Sequence, residues 1–364
     1  VEGEILSHNQ EIQLKLNLDY QSGETFMEEL PIVRRDLLPI IPTKVYDTYW
    51  RFAAERQEIF FRRFEGHQLP WTTDKILMKF KFTNAYRASD RVSQFLIRKV
   101  IYNGEQSPNE LFFRIILFKI FNRIDTWCLL NKEIGDIEFR NYSYKKYDDV
   151  LTKALADGKR IFSAAYIMPS GKGTFGSSRK HRNFLMLLEK MMKDDVPKRI
   201  SQCKYMKDAF ELLRSYPLMG DFLAYQYSID LNYSTLTNFS EMEFVIPGPG
   251  AKDGIRKCFR DLGGLSNAEV IRFVIERQND EFNRLGIKFR SLFGRSLQLI
   301  DGQNLFCEVD KYARVAHPDF TGRSGRTRIK QVYQSVAEQI NYWYPPKWGI
   351  NNLVEERGKH DNSI

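Results

Sequence analysis

The sequence predicts a mainly α protein. From Thr43 onward apolar residues recur three and four positions apart, strand-like alternation is confined to short runs, and the helical stretches are separated by breakers and candidate caps. At 364 residues, 43% hydrophobic and 14% aromatic, the chain can bury a large core as one large or two smaller domains.

Residues 1–42 read as an N-terminal extension in which EIQLKLNL alternates as a short strand would. TKVYDTYWRFAAERQEIFFRRF then places Val45, Tyr49, Phe52, Ile59, Phe60 and Phe64 on one helical face, and GHQLPW ends it. Next come DKILMKFKFTNAYR running into ASDRVSQFLIRKVIY, then NELFFRIILFKIFNRIDTWCLLN and KKYDDVLTKALADGKR, with Asp74 and Ser89 as N-caps. IFSAAYIMP fits a short strand or a helix, and SGKGTFGSSRKHR is a basic glycine and serine loop, either solvated or phosphate-contacting. Helices NFLMLLEKMMK and YMKDAFELLRSY precede a turn at 217–220 and a helix over 221–231. A glycine-rich turn, PGPG, then delivers Lys252 and Asp253 to the start of another helix. Residues 266–285 predict one helix, TGRSGRTRIK a basic turn-rich connection, and QVYQSVAEQINYWY a last helix ended by Pro345 and Pro346. The domain reading is a helical domain of two lobes over 43–345, with no visible boundary between the lobes, and a polar tail over 346–364.

The balance of 55 Lys and Arg against 46 Asp and Glu, a net charge of +9, permits a polyanionic partner without demanding one. Cys128, Cys203, Cys258 and Cys307 form no CxxC pair, and the histidines are too dispersed for a metal site, so neither metal nor cofactor is expected. No apolar run approaches the roughly 20 residues that cross a bilayer. A cytoplasmic protein without an obligate protein partner is expected.

The stretch YPLMGDFLAYQYSIDLNYSTLTNFSEMEFVIPGPGAKDGIRKCF resembles the helix-hairpin-helix DNA glycosylases. Pro217, Leu218, Met219 and Gly220 occupy the phosphate-gripping turn, with Leu218 where that family usually has glycine. Phe222 replaces the lysine of the bifunctional members, which implies base removal without lyase cleavage. Asp253 corresponds to the catalytic aspartate, stabilising the charge that develops on the sugar; its plainer reading is a helix cap. Gly248, Gly250, Lys252, Arg256 and Lys257 resemble a phosphate nest, although the G-K-[ST] ending of a Walker motif is absent. LPWTTDKILMKFKFTNAYRASDRVSQFLI resembles the segment that supplies the glycosylase wedge, which assigns that role to Asn84, Tyr86 and Arg87.

A narrower resemblance joins KFTNAYRASDRVSQFLI, FRIILFKIFNRIDTW, GDFLAYQYSIDLNYS, PGPGAKDGIRK and NLFCEVDKY. Together these are similar to the alpha-glutamyl/putrescinyl thymine pyrophosphorylases, over roughly 69–314, and related helical modules accompany hydroxymethyluracil DNA kinases. The resemblance implies modified pyrimidines in DNA as the substrate class, and one bacterial branch resembles an anti-phage glycosylase acting on glucosylated hydroxymethylcytosine. In LFCEVDKYAR, Glu308 and Lys311 share a helical face while Asp310 points elsewhere. Burial would require partners for them, Arg87 or Arg91 among the candidates, or a place in the pocket. Asn84, Tyr225 and Gln226 are the residues expected to read an extruded base.

The expectation is therefore a helix-hairpin-helix glycosylase-like fold with an extra N-terminal segment and C-terminal helices. Its function would be that of a monofunctional glycosylase on double-stranded DNA carrying a bulky modified pyrimidine, with Asp253 catalytic and Glu308, Asp310 and Lys311 assisting. Two alternatives stand beside it. One is a transferase that replaces an activated 5-hydroxymethyl group of thymine by an amine or amino acid, and the other a non-catalytic module that binds modified DNA.

Overall fold

Helix formation starts at Thr43, whose hydroxyl accepts the Val45 backbone N–H (3.1 Å) and donates to the Lys257 carbonyl (2.5 Å). It thereby begins α1 (Lys44–Phe64) and ties it to a helix more than two hundred residues away. The computed structural model describes residues 39–166, 168–334 and 340–360, so the alternating run EIQLKLNL lies outside the described residues. From Pro39 these residues belong to one unit. They are mainly helical, and their one small sheet pairs β1 (Ile41–Pro42) with β2 (Phe259–Asp261) antiparallel.

The order continues through α2 (Lys75–Lys79), α3 (Arg91–Phe95, widening into a π turn over Leu96–Ile101), α4 (Pro108–Phe121), α5 (Ile124–Ile134) and α6 (Tyr144–Ala156). A single turn, Lys172–Phe175, precedes α7 (Lys180–Lys193), α8 (Val196–Ser201), α9 (Met206–Arg214) and α10 (Asp221–Asn232). Then come α11 (Pro249–Cys258), α12 (Asn267–Glu276), α13 (Gln278–Arg284), α14 (Leu299–Ala316) and α15 (Asn351–His360).

Several boundaries differ from those read in the sequence. DKILMKFKFTNAYR is helical only to Lys79; the Lys-Phe-Lys-Phe alternation that follows has a strand period, and Phe80 bridges to Val332. The run over 108–134 breaks at Asn122, which adopts a left-handed φ of 47°. Asp90, not Ser89, precedes α3, and the Ser89 hydroxyl instead meets that of Tyr344 (2.9 Å). IFSAAYIMP is neither strand nor helix in its described residues, and 266–285 is interrupted at Arg277. The described parts of QVYQSVAEQINYWY are not helical, with 335–339 outside the description, and α15 stands where a polar tail was expected. There the Asn351 amide bonds both the N–H and the carbonyl of Tyr344.

Two arrangements position the candidate site. The first is α4, which is buried on nearly all its faces; even Arg114 is buried, its guanidinium donating to the carbonyls of Val100, Ile101 and Glu105. The second is the crossing of α11 over α14. A side-chain carbon on Gly254 would lie 2.0 Å from the Phe306 carbonyl oxygen, so the two backbones touch there. Tyr49 of α1 closes the crossing, its ring 4.5 Å from that of Phe306.

Because backbone cannot move aside as a side chain can, Gly254→Ala is expected to cost on the order of 3 kcal/mol, the upper end of overpacking penalties. Gly173→Ala, with no atom within 4 Å of the added carbon, is expected to leave the unfolding midpoint unchanged. Urea denaturation of the two variants checks the contrast.

Candidate functional site

The hairpin of α9 and α10 turns through residues 215–220, where Leu218 has φ 68°. A left-handed leucine costs roughly 1–2 kcal/mol, so the turn keeps the conformation for which glycine would be the ordinary residue. Gly220 is the N-cap of α10, and Asp221 forms an ion pair with Arg214. Along α10 one buried face carries Gln226 and Asp230, polar groups unusual in an otherwise apolar core.

Asp230, fully buried, explains that face. One carboxylate oxygen lies 2.8 Å from Nη1 of Arg87 and the other 3.0 Å from Nζ of Lys119 on α4. Arg87 continues to Tyr233 Oη (3.1 Å) and Gln226 Oε1 (3.1 Å), Gln226 Nε2 to Gln303 Oε1 on α14 (3.4 Å), and Lys119 to Asn122 Oδ1 (3.0 Å). Burial pulls the Lys119 ammonium down to about 8 even though Asp230 opposes the shift. This buried row holds two cations against one carboxylate.

An aromatic pair covers it. Tyr166 stacks on Phe222 of α10 with centroids 5.7 Å apart and planes 13° from parallel. Lys119 Nζ stands 4.5 Å from the centre of the Tyr166 ring, and the phenol oxygen is 3.4 Å from Gln226 Oε1. Tyr166 does this from a left-handed backbone, φ 55°. Gly248, the N-cap of α11, lets that helix approach, because a side-chain carbon there would sit 2.7 Å from the Phe222 ring.

The remaining residues singled out in the sequence have other places. Asn84 staples the corner between α2 and α3: its side chain accepts from Arg56 Nη2 (2.8 Å) and donates to the Ser89 carbonyl (2.7 Å), while its backbone N–H donates to Asp90 Oδ1 (2.8 Å). Burial raises Asp90 to about 7. Tyr86 is a core residue whose hydroxyl donates to the Arg295 carbonyl (2.6 Å), and Tyr225 is fully buried, its ring edge-on to Phe244. Asp253 lies in the second turn of α11 rather than at its start, and its buried carboxylate accepts the Ser324 N–H (3.3 Å). Asp310 is held by Lys257 (2.8 Å) and Arg314 (2.5 Å), and Glu308 by Lys311 (2.7 Å) and the Thr83 N–H (3.0 Å), not by Arg87 or Arg91. Gly250 packs beside Cys307, and Lys252 and Arg256 are exposed on α11. The structure thus brings together Arg87, Gln226 and Gly248, and leaves the carboxylates of 253, 308 and 310 in separate contacts. Among the described residues no three His, Cys, Asp or Glu side chains form a metal-binding group, and no helix is long and apolar enough to cross a membrane.

Lys119, Tyr166, Asp230 and Gln303 are members of the row that motif reasoning passed over. A lysine inside IILFKIF and an aspartate inside YSIDLNY carried the signal, since a charge in the middle of an apolar helix must be paired.

The family model for the helical domain of 5-hmdU DNA kinase matches residues 43–322. The chain belongs to this family. A 5-hmdU DNA kinase of Bacillus phage SP10 is 27% identical over 345 residues, 89% of this chain and 53% of the relative, so the chain spans about half that protein's length. No solved structure matches the chain. The matched region contains the whole row from Arg87 to Gln303. These findings support a helical family concerned with modified thymine, the broader part of the sequence resemblance. They also correct its finer part: the named relative is a kinase, which transfers a phosphoryl group, and this overturns the expectation of a glycosylase that hydrolyses N-glycosidic bonds.

One member of the site titrates in an accessible range. Asp301, at the start of α14, accepts the Arg87 N–H (2.9 Å) and the Gln298 N–H (3.0 Å), and burial raises its carboxyl to about 7 despite both donors. A raised carboxyl binds its proton more tightly folded than unfolded, so its stabilising contribution is present below about pH 4 and is lost as pH climbs through 7. The stability advantage of the native protein over Asp301→Asn is therefore expected to shrink between pH 5 and pH 8 in thermal unfolding; an advantage that stays constant over that range would show that Asp301 is already ionised in the fold.

Proposed function

We propose that this helical domain holds a hydroxymethylated thymine-class base of DNA and serves a group-transfer reaction at its 5-hydroxymethyl group. The observation that carries the reading is the seat of Tyr166. An aromatic ring is held there parallel to Phe222, over the Lys119 ammonium and with its polar edge toward the Gln226 amide, by a backbone in an unfavourable conformation. A pyrimidine turned out of the helix would make the same three kinds of contact, by stacking, through its π face and through an N–H to Gln226 Oε1. The excess positive charge of Arg87 and Lys119 over Asp230 favours a base rich in carbonyl acceptors. Tyr166 holds the seat when no base is present.

Family membership supports the substrate class, since the named relative is a kinase of 5-hmdU DNA. Group transfer rather than base removal agrees with the three carboxylates first considered for excision, which are engaged elsewhere.

A duplex with one 5-hydroxymethyluracil is expected to bind more tightly than its thymine counterpart. Tyr166→Ala, which empties the seat, is expected to tighten that binding several-fold, and Gln226→Leu, which removes the acceptor for the base N–H, to weaken binding of both duplexes. Fluorescence anisotropy at fixed salt reads all three. Equal affinity for both duplexes in the native protein and in Tyr166→Ala would overturn the reading.

A further inference from the structure

A cavity adjoins the corner formed by residues 83–90. It encloses about 290 Å³ and is walled by the rings of Phe60, Trp71, Phe80, Phe82, Tyr333 and Tyr342, with Arg56, Arg63 and Asn84 supplying its polar groups. Arg56 is fixed by bonds from Nε to the Thr83 carbonyl (2.9 Å) and from Nη2 to Asn84 Oδ1. Asn84 is spent on orienting that guanidinium, which leaves Arg56 as the fixed donor.

One wall of the cavity is a short antiparallel ribbon. Lys81 N–H donates to the Gln331 carbonyl (3.0 Å), Tyr333 N–H donates to the Lys79 carbonyl (3.0 Å), and Phe80 faces Val332. Phe80, Phe82 and Tyr333 line the cavity, while Lys79 and Lys81 are exposed. The partner segment arrives through Arg326, Arg328 and Lys330, all exposed, and is anchored by Arg314 Nη1 on the Arg328 carbonyl (3.1 Å). A ring-lined cavity thus adjoins exposed cations on the ribbon and on the segment that leads into it.

We infer that this cavity is a second nucleobase site, one that takes an unpaired base of a DNA strand whose phosphates run along Lys79, Lys81, Arg326, Arg328 and Lys330. Rings stack on any base, cations follow the backbone, and Arg56 donates to a carbonyl or ring nitrogen on the base edge. The site does not depend on a modified base or on the Tyr166 seat. It supplies grip on the strand rather than selection of the target.

The test uses a 12-nucleotide single strand of unmodified thymidines with one central 2-aminopurine. Binding is read by anisotropy at two salt concentrations, and stacking by quenching of the 2-aminopurine. Tyr333→Ala is expected to weaken binding about tenfold, within the range for loss of one base-stacking ring, and to remove most of the quenching. Lys79→Glu with Arg328→Glu is expected to weaken binding and flatten its salt dependence with the fold intact, whereas Lys99→Glu, an exposed cation on the α3 π turn, changes neither. Free 2-aminopurine nucleoside is expected to bind far more weakly than the strand. Undiminished affinity and quenching in Tyr333→Ala, or equal losses in the Lys99→Glu control, would overturn the inference. Because the strand has no modified base, either result leaves the preference for 5-hydroxymethyluracil to be judged separately.

Discussion

Two cations buried against a single carboxylate organise the centre of this molecule. Arg87 comes from the corner before α3, Lys119 from the end of α4 and Asp230 from the last turn of α10, so the ion cluster pins three segments that are far apart in sequence. Taking charges out of water is costly, and the attraction between them repays that cost only when geometry and hydrogen bonds are well satisfied. Here Gln226, Tyr233 and Asn122 supply the extra bonds. A core built only for stability would be served as well by leucines; a donor-rich row kept beneath a stacked aromatic pair is suited to binding.

The rest of the fold makes that row possible. Contact between the backbones at Gly254 and Phe306 sets α14 close to α11, which brings Gln303 within reach of Gln226 and lets Gly248 approach Phe222. The corner at 83–90 has two faces. Arg87 points into the row, while Asn84 and Arg56 face the aromatic cavity beside the cationic ribbon. A strand gripped at the ribbon and a base selected at the row would be served by a single rigid corner, with Asp90 and Asp301 bonding its backbone N–H groups.

The helical class, the start of α1 at Thr43 and the Asp74 cap were legible in the sequence because they rest on local periodicity and capping chemistry. Ordered motifs also carried the resemblance to the helical modules of hydroxymethyluracil DNA kinases, which the family match bears out at that level. What the sequence hid was pairing. Asp253, Glu308 and Asp310 are the kind of acids that catalysis needs, but whether an acid is free or engaged depends on partners such as the Ser324 N–H and Lys257, which only the tertiary fold supplies. Tyr166 was invisible for a related reason, since nothing local in IFSAAYIMP marks a ring that will stand on Phe222.

The most direct measurement of the central claim is photocrosslinking from a duplex with 5-iododeoxyuridine at the target position, with the modified peptide identified by mass spectrometry. A base seated at the row predicts adducts on Tyr166 or Phe222. Adducts confined to the ribbon and its cavity, at Phe80, Tyr333 or Trp71, would contradict it.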